Sequence, residues 1–379
     1  EVATIGHKKL ESRPLTNGSS GIQGLMPGIT VTGTNGAPGM DGGSIRVRGV
    51  GTLNSDSPYI LVDGFETSTL NSLDPDDIET ISVLKDASSA AIYGSKASNG
   101  VILITTKRGH SGAPKISYTG YVGMQDASTL VDRMSSADYA TYYNQALVAN
   151  GKKAKYTEDE IKKFADGSDP YHYANTDWTG LAFKTGVMTR HNVNVTGGTD
   201  QIKYMASAGY LHQTGILPNA KREQFNARTN FDVNLTKRLT AHLNLAFIRN
   251  NYKDPSSAYA GGSNDQIIRQ LNLIAPWIVN KNEDGTYGTI SDGNPIAWLD
   301  SGMTVDRNNS NFTGLLGVDY QIMDGLKLTL QGSYVDNYQH YKYFQKFIQY
   351  NANKKSDPNS LDDRHYQWDR TLYDAILYH

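Results

Sequence analysis

The feature that most constrains this chain is a period of two that returns again and again after residue 200. In Gln224–Leu235 one face carries Phe225, Ala227, Thr229, Phe231, Val233 and Leu235, and the other carries Gln224, Asn226, Arg228, Asn230, Asp232 and Asn234. Ile202, Tyr204, Ala206, Ala208 and Tyr210 make a second apolar face, and Leu239, Ala241, Leu243, Leu245 and Phe247 a third. Phe312, Gly314, Leu316, Val318 and Tyr320 repeat it, followed by Leu326, Leu328, Leu330 and Tyr334. Alternation of this kind fits only strands with unlike faces, and runs of about ten residues match tilted strands that cross a bilayer. Connections alternate in length. Short ones fall near Gly198-Thr199-Asp200, Thr236-Lys237-Arg238 and Met323-Asp324-Gly325, and long ones at roughly 125–187, 215–223, 251–309 and 343–365. A soluble sandwich has no reason to segregate loop length by side, whereas a transmembrane barrel has short periplasmic turns and long outer loops.

Composition agrees where it bears on the choice. The mean hydropathy of −0.50 looks soluble, but barrel strands average lipid-facing and lumen-facing residues to a polar value. No run of 18 apolar residues offers a membrane-spanning helix. Tyrosine outnumbers phenylalanine 24 to 9, and 37 glycines stand against 12 prolines, which suits a large β structure with aromatic girdles. With no cysteine and a net charge of −2, disulfide scaffolds, thiolate metal sites and a global field for nucleic acid are set aside.

The first 110 residues read differently. Residues 1–20 are polar and read as a linker or N-terminal arm. Ile45-Arg46-Val47-Arg48-Gly49 alternates as a short strand with one buried face, and Tyr59-Ile60-Leu61-Val62 is an apolar strand stopped by Asp63-Gly64. Asp74-Pro75 supplies an N-cap and a first-turn proline, with Asp76 and Asp77 placed to suit the helix dipole. Asp86 can cap a second short helix from Ala87 to Tyr93, ended by Gly94. Asn99-Gly100 then turns the chain into the β-branched strand Val101-Ile102-Leu103-Ile104-Thr105-Thr106, closed by Lys107-Arg108-Gly109.

These segments carry a resemblance. Leu25-Met26-Pro27-Gly28, Ile45–Gly49, Val62-Asp63-Gly64, Asp77–Asp86, Ala90-Ala91-Ile92-Tyr93-Gly94 and Asn99–Lys107 occur in the order found in the plug of TonB-dependent transporters. Lys85-Asp86-Ala87, with Thr105–Gly109, is similar to the SusC branch of Bacteroidetes. The 125–187 stretch, through Asn175-Thr176-Asp177-Trp178, resembles the insertion of that branch. Its two helices are also legible directly: Ser135 with Asp138 and Thr157 with Glu160 read as N-terminal caps, and Asn150-Gly151 as a stop.

The expected fold is therefore mainly β: a small α+β plug over 21–112 inside a transmembrane antiparallel β-barrel that begins at 113. Eight strands are counted, from near Lys115 to Leu372–Tyr378. A barrel that holds such a plug needs about 22 strands, so the chain reads as the plug and opening strands of a larger barrel. The resemblance implies active import of a nutrient oligomer, glycan before peptide, across a Gram-negative outer membrane. It also implies as partners the TonB complex, acting through a segment upstream of Glu1, a SusD-like surface lipoprotein, and outer-membrane lipid, with no role for nucleic acid. A siderophore or cobalamin receptor is the nearest alternative, and a soluble carbohydrate-binding or carbohydrate-active β protein the alternative from another class.

Candidate sites follow from the same reading. The nine histidines show no H-E-x-x-H spacing and no G-x-S-x-G elbow occurs, so neither an enzyme nor a metal or other cofactor is expected. Asp74, Asp76 and Asp77 fit helix capping better than a calcium cluster. Arg46 and Arg48 are costly charges on a plug strand and each calls for a carboxylate. The resemblance implies acids on the barrel wall, which can lie on strands beyond the eight counted here, and solvated arginines in a wet lumen are the bland alternative. For substrate, the outer loops offer the aromatic faces of Tyr171, Tyr173, Trp178, Tyr259, Trp277, Tyr287 and Trp298, which can stack on sugars or hold peptide side chains. Trp277 lies in an apolar patch, Leu271 to Val279, that could dock a partner lid.

Overall fold

The computed structural model describes residues 2–11, 15–33, 36–47, 49, 56–67, 70, 73–86, 90–257, 264–289, 293–346, 348–351 and 372–378. Two sheets organise them. The smaller is five-stranded and contains β1 (Val2–Gly6), β4 (Tyr59–Val62), β5 (Phe65–Thr67), β6 (Ile78–Leu84) and β7 (Val101–Thr106). Its order is β1-β6-β7-β4-β5, with β4 and β7 parallel and the other pairs antiparallel. A hairpin of β2 (Ile29–Gly33) and β3 (Gly43–Val47) packs beside it. The shared core holds Ile5, Leu10, Leu15, Ile22, Ile45, Val47, Ile81 and Ile102. Gly100 has φ 89°, and a Cβ there would lie 2.9 Å from Val47 Cγ1. The Asn99-Gly100 turn therefore needs glycine both for its backbone and for its closeness to β3.

The N-terminal segment corrects the expectation of a linker over 1–20. Val2–Gly6 is an edge strand paired with β6 along its whole length. Ile5, Leu10 and Leu15 are buried, spaced by five with no periodicity to betray them. The polar residues that suggested an arm are themselves satisfied inside: Thr16 Oγ1 donates to Asp41 at 2.6 Å and Asn17 caps the helix Gly18–Ile22. Further on, the second short helix is 3₁₀ over Ala91–Asn99 and is broken at Gly94, whose positive φ of 65° ends a first turn there before a second begins. Residues 87–89, where that helix was expected to start, lie outside the described residues.

The larger sheet is antiparallel and eight-stranded, in simple chain order. Its strands are β8 (Gly112–Gln125), β9 (Gly186–Gly198), β10 (Ile202–Thr214), β11 (Lys221–Asn234), β12 (Leu239–Pro255), β13 (Thr304–Met323), β14 (Leu326–Phe344) and β15 (Leu372–Tyr378). The burial pattern is the reverse of a soluble protein's. Phe225, Leu243, Phe247, Leu316 and Leu330 are exposed, while Gln224, Asn226, Asn230 and Asn244 are buried. Lipid is the natural solvent for the first set, and the polar set faces the plug. β12, β13 and β14 run to 17, 20 and 19 residues, longer than the apolar runs. Backbone pairing continues past the bilayer through polar residues such as Asn250, Asn251 and Asn309, where alternation of hydropathy has ended.

The long connections after β8 and β12 fold onto each other. The capped helices Ser136–Ala149 and Glu158–Asp166 stand where Ser135 and Thr157 placed them. A second core joins Trp178, Ile267, Leu271, Ile274, Ile278, Trp298 and Tyr350. Arg133 ties the two loops by donating to Leu271 O at 3.1 Å and Ile274 O at 3.0 Å.

Candidate functional site

The plug lies on the polar face of the large sheet, and the contact between them is ionic. Asp74 opens a single 3₁₀ turn, Pro75–Asp77, and one of its oxygens accepts from Asp76 N at 2.8 Å. Capping leaves the carboxylates of Asp74, Asp76 and Asp77 clustered toward the wall. Arg190, on the inward face of β9, pairs with Asp74, sits 2.9 Å from Asp76, and donates to Leu15 O at 2.8 Å. Arg228 on β11 meets Asp77 at 3.3 Å, and Ser207 on β10 also donates to Asp77. Side-chain exposure is 4% for Arg190 and 2% for Asp74, so the pair sees almost no bulk water.

Burial pushes Asp74 up to about 6, opposed by the Arg190 guanidinium and reinforced by Asp77 and Asp76. Asp77 is raised by burial too, with Arg228 and Ser207 pulling it back. Such a buried ion cluster adds little net stability but is costly to break from one side, because a charge is left alone in a low-dielectric site. Its effect is to fix where the plug sits.

Neutral contacts extend the seam. Asn230 donates to Thr106 Oγ1 at 3.0 Å and Lys107 O at 2.8 Å. Arg222 and Tyr121 reach Thr16 O and Leu15 O at 3.1 and 3.0 Å. Where the plug leaves for the barrel, Arg108 bridges Asp63 of the plug and Asp232 of β11, at 3.5 and 3.3 Å, and donates to Asn244 of β12 at 2.8 Å.

This seam inverts the expectation for Arg46. Ile45 and Val47 enter the plug core and Arg46 turns to the opposite face, but its carboxylate is Asp56, within the plug. At the turn before β6 the wall supplies Arg190 and Arg228 and the plug the acids, whereas at the plug's end Arg108 meets Asp232 of the wall. Arg48 lies outside the described residues. Local capping explained Asp74, Asp76 and Asp77 well enough in the sequence to hide their second role. The available signal was Arg228 on the polar face of a strand, a buried cation in need of a partner.

The aromatic residues part company. Trp178 and Trp298 are core residues at 1% and 0% exposure, their indoles donating to Ala275 O and the Tyr350 hydroxyl, so neither ring can face a ligand. Of the patch from Leu271 to Val279, Leu271, Ile274, Ile278 and Val279 are buried, while Leu273 is 57% exposed. Trp277 packs on Tyr139 with the rings tilted by 32° and their centroids 4.1 Å apart. Tyr173 packs edge-on against Phe164, and Tyr287 donates to Asp300 beneath Lys281. Tyr171 is the most exposed of the described group, at 42%, and lines a cleft of about 630 Å³ with Asn175, Asp177, Asn280 and Lys281. Tyr259 lies outside the described residues.

A small α+β plug pinned by buried ion pairs to strands with an apolar outer face defines a class: a plugged β-barrel protein of the outer membrane. Comparison with known proteins agrees. The family model described as "TonB-dependent Receptor Plug Domain" matches residues 1–101. The TonB-dependent receptor SusC of Bacteroides thetaiotaomicron is 33% identical over 354 residues, covering 84% of this chain and 33% of that protein. TonB-dependent receptor P3 of Formosa agariphila is 31% identical over 334 residues, 86% of this chain and 31% of that protein. The chain thus spans about a third of the length of the curated relatives it matches. Among solved structures, that titled "Structure of the RagAB peptide transporter" superposes with TM-score 0.75 at 22% identity, over 91% of this chain and 42% of the other. The chain is SusC-like: its first 101 residues match the plug of TonB-dependent receptors, and it resembles SusC-type receptors over about a third of their length. The plug match includes Val2–Gly6, the strand that pairs with β6.

Proposed function

We propose that this protein works in TonB-driven import of a nutrient oligomer across the outer membrane, with a SusD-like lipoprotein closing over its outer mouth. The observation that carries the reading is the seam of Arg190 and Arg228 with Asp74, Asp76 and Asp77, which holds a plug across the lumenal face of membrane-crossing strands. A plug fixed this firmly calls for an external energy source to move it, which the TonB complex would deliver. A glycan is the proposed cargo. Tyr171, 42% exposed, lines a cleft with Asn175, Asp177, Asn280 and Lys281, an aromatic ring among hydrogen-bonding groups of the kind that suits a sugar. Peptide is the alternative that a structural neighbour's title raises, at an identity that carries fold only.

Uptake by cells with and without the gene tests this, using panels of neutral oligosaccharides and of peptides, before and after a protonophore. Energy-dependent accumulation of an oligosaccharide that vanishes with the gene is expected. Accumulation that persists under the protonophore would refute the TonB-driven reading, and accumulation of peptides alone would refute the cargo.

A further inference from the structure

The outward face of the large sheet changes character at one level. On β10 to β14 its apolar belt ends in aromatic rings. Tyr210 and Phe225 have centroids 4.9 Å apart, Phe247 stands opposite Phe312, and the Phe312 and Tyr334 centroids are 6.4 Å apart. Aromatic side chains collect where acyl chains give way to headgroups. β11 begins and β12 ends on the side of the long loops, away from the short turn 235–238 that joins them. The band therefore marks the boundary of the outer leaflet.

Just beyond the band the same face turns basic. Arg249 stands directly opposite Phe225, on the outward side of β12 next above Phe247. Its Nε donates to Asn251 Oδ1 at 3.2 Å, and it meets no carboxylate among the described residues. Lys221 and Lys253 face each other across β11 and β12. Like charges so placed repel, and an anion held between them relieves the repulsion. The acids at this level are Glu223, 3.7 Å from Lys221 and 3.8 Å from His212, and Asp306, in register between Lys253 and Lys342. On β11 and β12, Lys221, Arg249 and Lys253 outweigh Glu223. Both strands are flanked, by β10 and β13, so the cluster lies away from the free edges of the sheet.

We infer that Arg249, Lys221 and Lys253 form a two-level site for a phosphorylated glycolipid of the outer leaflet. Arg249, at the aromatic band, takes the phosphate nearest the acyl chains, where a planar guanidinium can bond two of its oxygens. The lysine pair, about 13 Å further along the strands, takes acidic groups on the sugars above. A phospholipid headgroup is too short to span both levels, and a free phosphate would fill only one. Acyl chains complete the site by lying on the exposed Leu243, Phe247 and Leu316. Cargo and plug play no part in it, since every residue named lies on the outer side of the wall.

Native mass spectrometry of the delipidated full-length receptor tests the site with lipid A, lipid A carrying acidic Kdo sugars, and phosphatidylglycerol. A cation beside an anionic lipid surface strengthens binding about fivefold. The sugar-bearing lipid A should therefore bind the native receptor about tenfold or more tighter than lipid A alone, with phosphatidylglycerol the weakest. Arg249→Gln should weaken both glycolipids about fivefold, and Arg249→Lys, which keeps the charge, should recover most of that loss. Lys221→Gln with Lys253→Gln should weaken only the sugar-bearing form, down to the level of lipid A. Lys237→Gln with Arg238→Gln, at the short turn beside the other leaflet, should change nothing. Equal binding of all the probes, or an equal loss from the turn variant, would overturn the site. Undiminished binding of the sugar-bearing form to the lysine variant would do the same.

Discussion

Replacing Arg190 by Gln is the most informative perturbation of the plug seam. Without the guanidinium, Asp74 cannot stay charged at 2% exposure and takes up a proton. Starting from about 6, that uptake costs about 1.4 kcal/mol per pH unit, hence about 2 kcal/mol at pH 7.5. Leu15 O loses one donor but keeps Tyr121, so about 1 kcal/mol more is forfeited, the low end for a buried acceptor. The sum, about 3 kcal/mol, should speed amide exchange of β1 and β6 about a hundredfold at pH 7.5. Because Asp74 lies above its ordinary 3.8, its ionisation weakens the docked state as pH rises through about 6. Arg190 opposes that weakening, so its loss is felt above pH 6 and shrinks to about 1 kcal/mol at pH 5.5. Hydrogen exchange of the detergent-solubilised receptor, variant against native at each pH, measures this. An equal deficit at both pH values, or none at 7.5, would refute the assignment of Asp74 as the group that Arg190 keeps charged.

Arg46→Gln should cost under about 1 kcal/mol, because its pair with Asp56 is partly exposed on both members and internal to the plug; bilayer conductance should stay at the native level. Trp298→Phe removes the indole donor to Tyr350 in a buried site and should loosen the outer loops by about 1–3 kcal/mol, read as faster proteolysis within 256–303. Gly100→Ala forces a side chain to adopt φ 89° within 2.9 Å of Val47 and should destabilise the plug by about 1–3 kcal/mol, seen as a lower melting temperature.

The sequence by itself determined the class of strand, the side each residue faces and the order of the sheet. A period of two leaves one solution when both solvents, lipid and lumen, demand opposite faces, and short turns force neighbours in sequence to be neighbours in space. Capping chemistry is equally local, so Ser135, Thr157 and Asp74 could be placed from a few residues of context. The plug's edge strand Val2–Gly6 could not, because Ile5, Leu10 and Leu15 are buried by a partner more than seventy residues away rather than by a repeating pattern. Nor could the fate of the aromatic side chains. Trp178, Trp298 and Tyr171 all sit in loops with similar surroundings in sequence, and only the packing of one loop on the other buries two and leaves the third exposed. The seam was decided at the same level. A carboxylate that caps a turn and one that holds a plug are the same carboxylate, and Arg190 becomes the partner of Asp74 only when β9 and the turn before β6 meet across 116 residues.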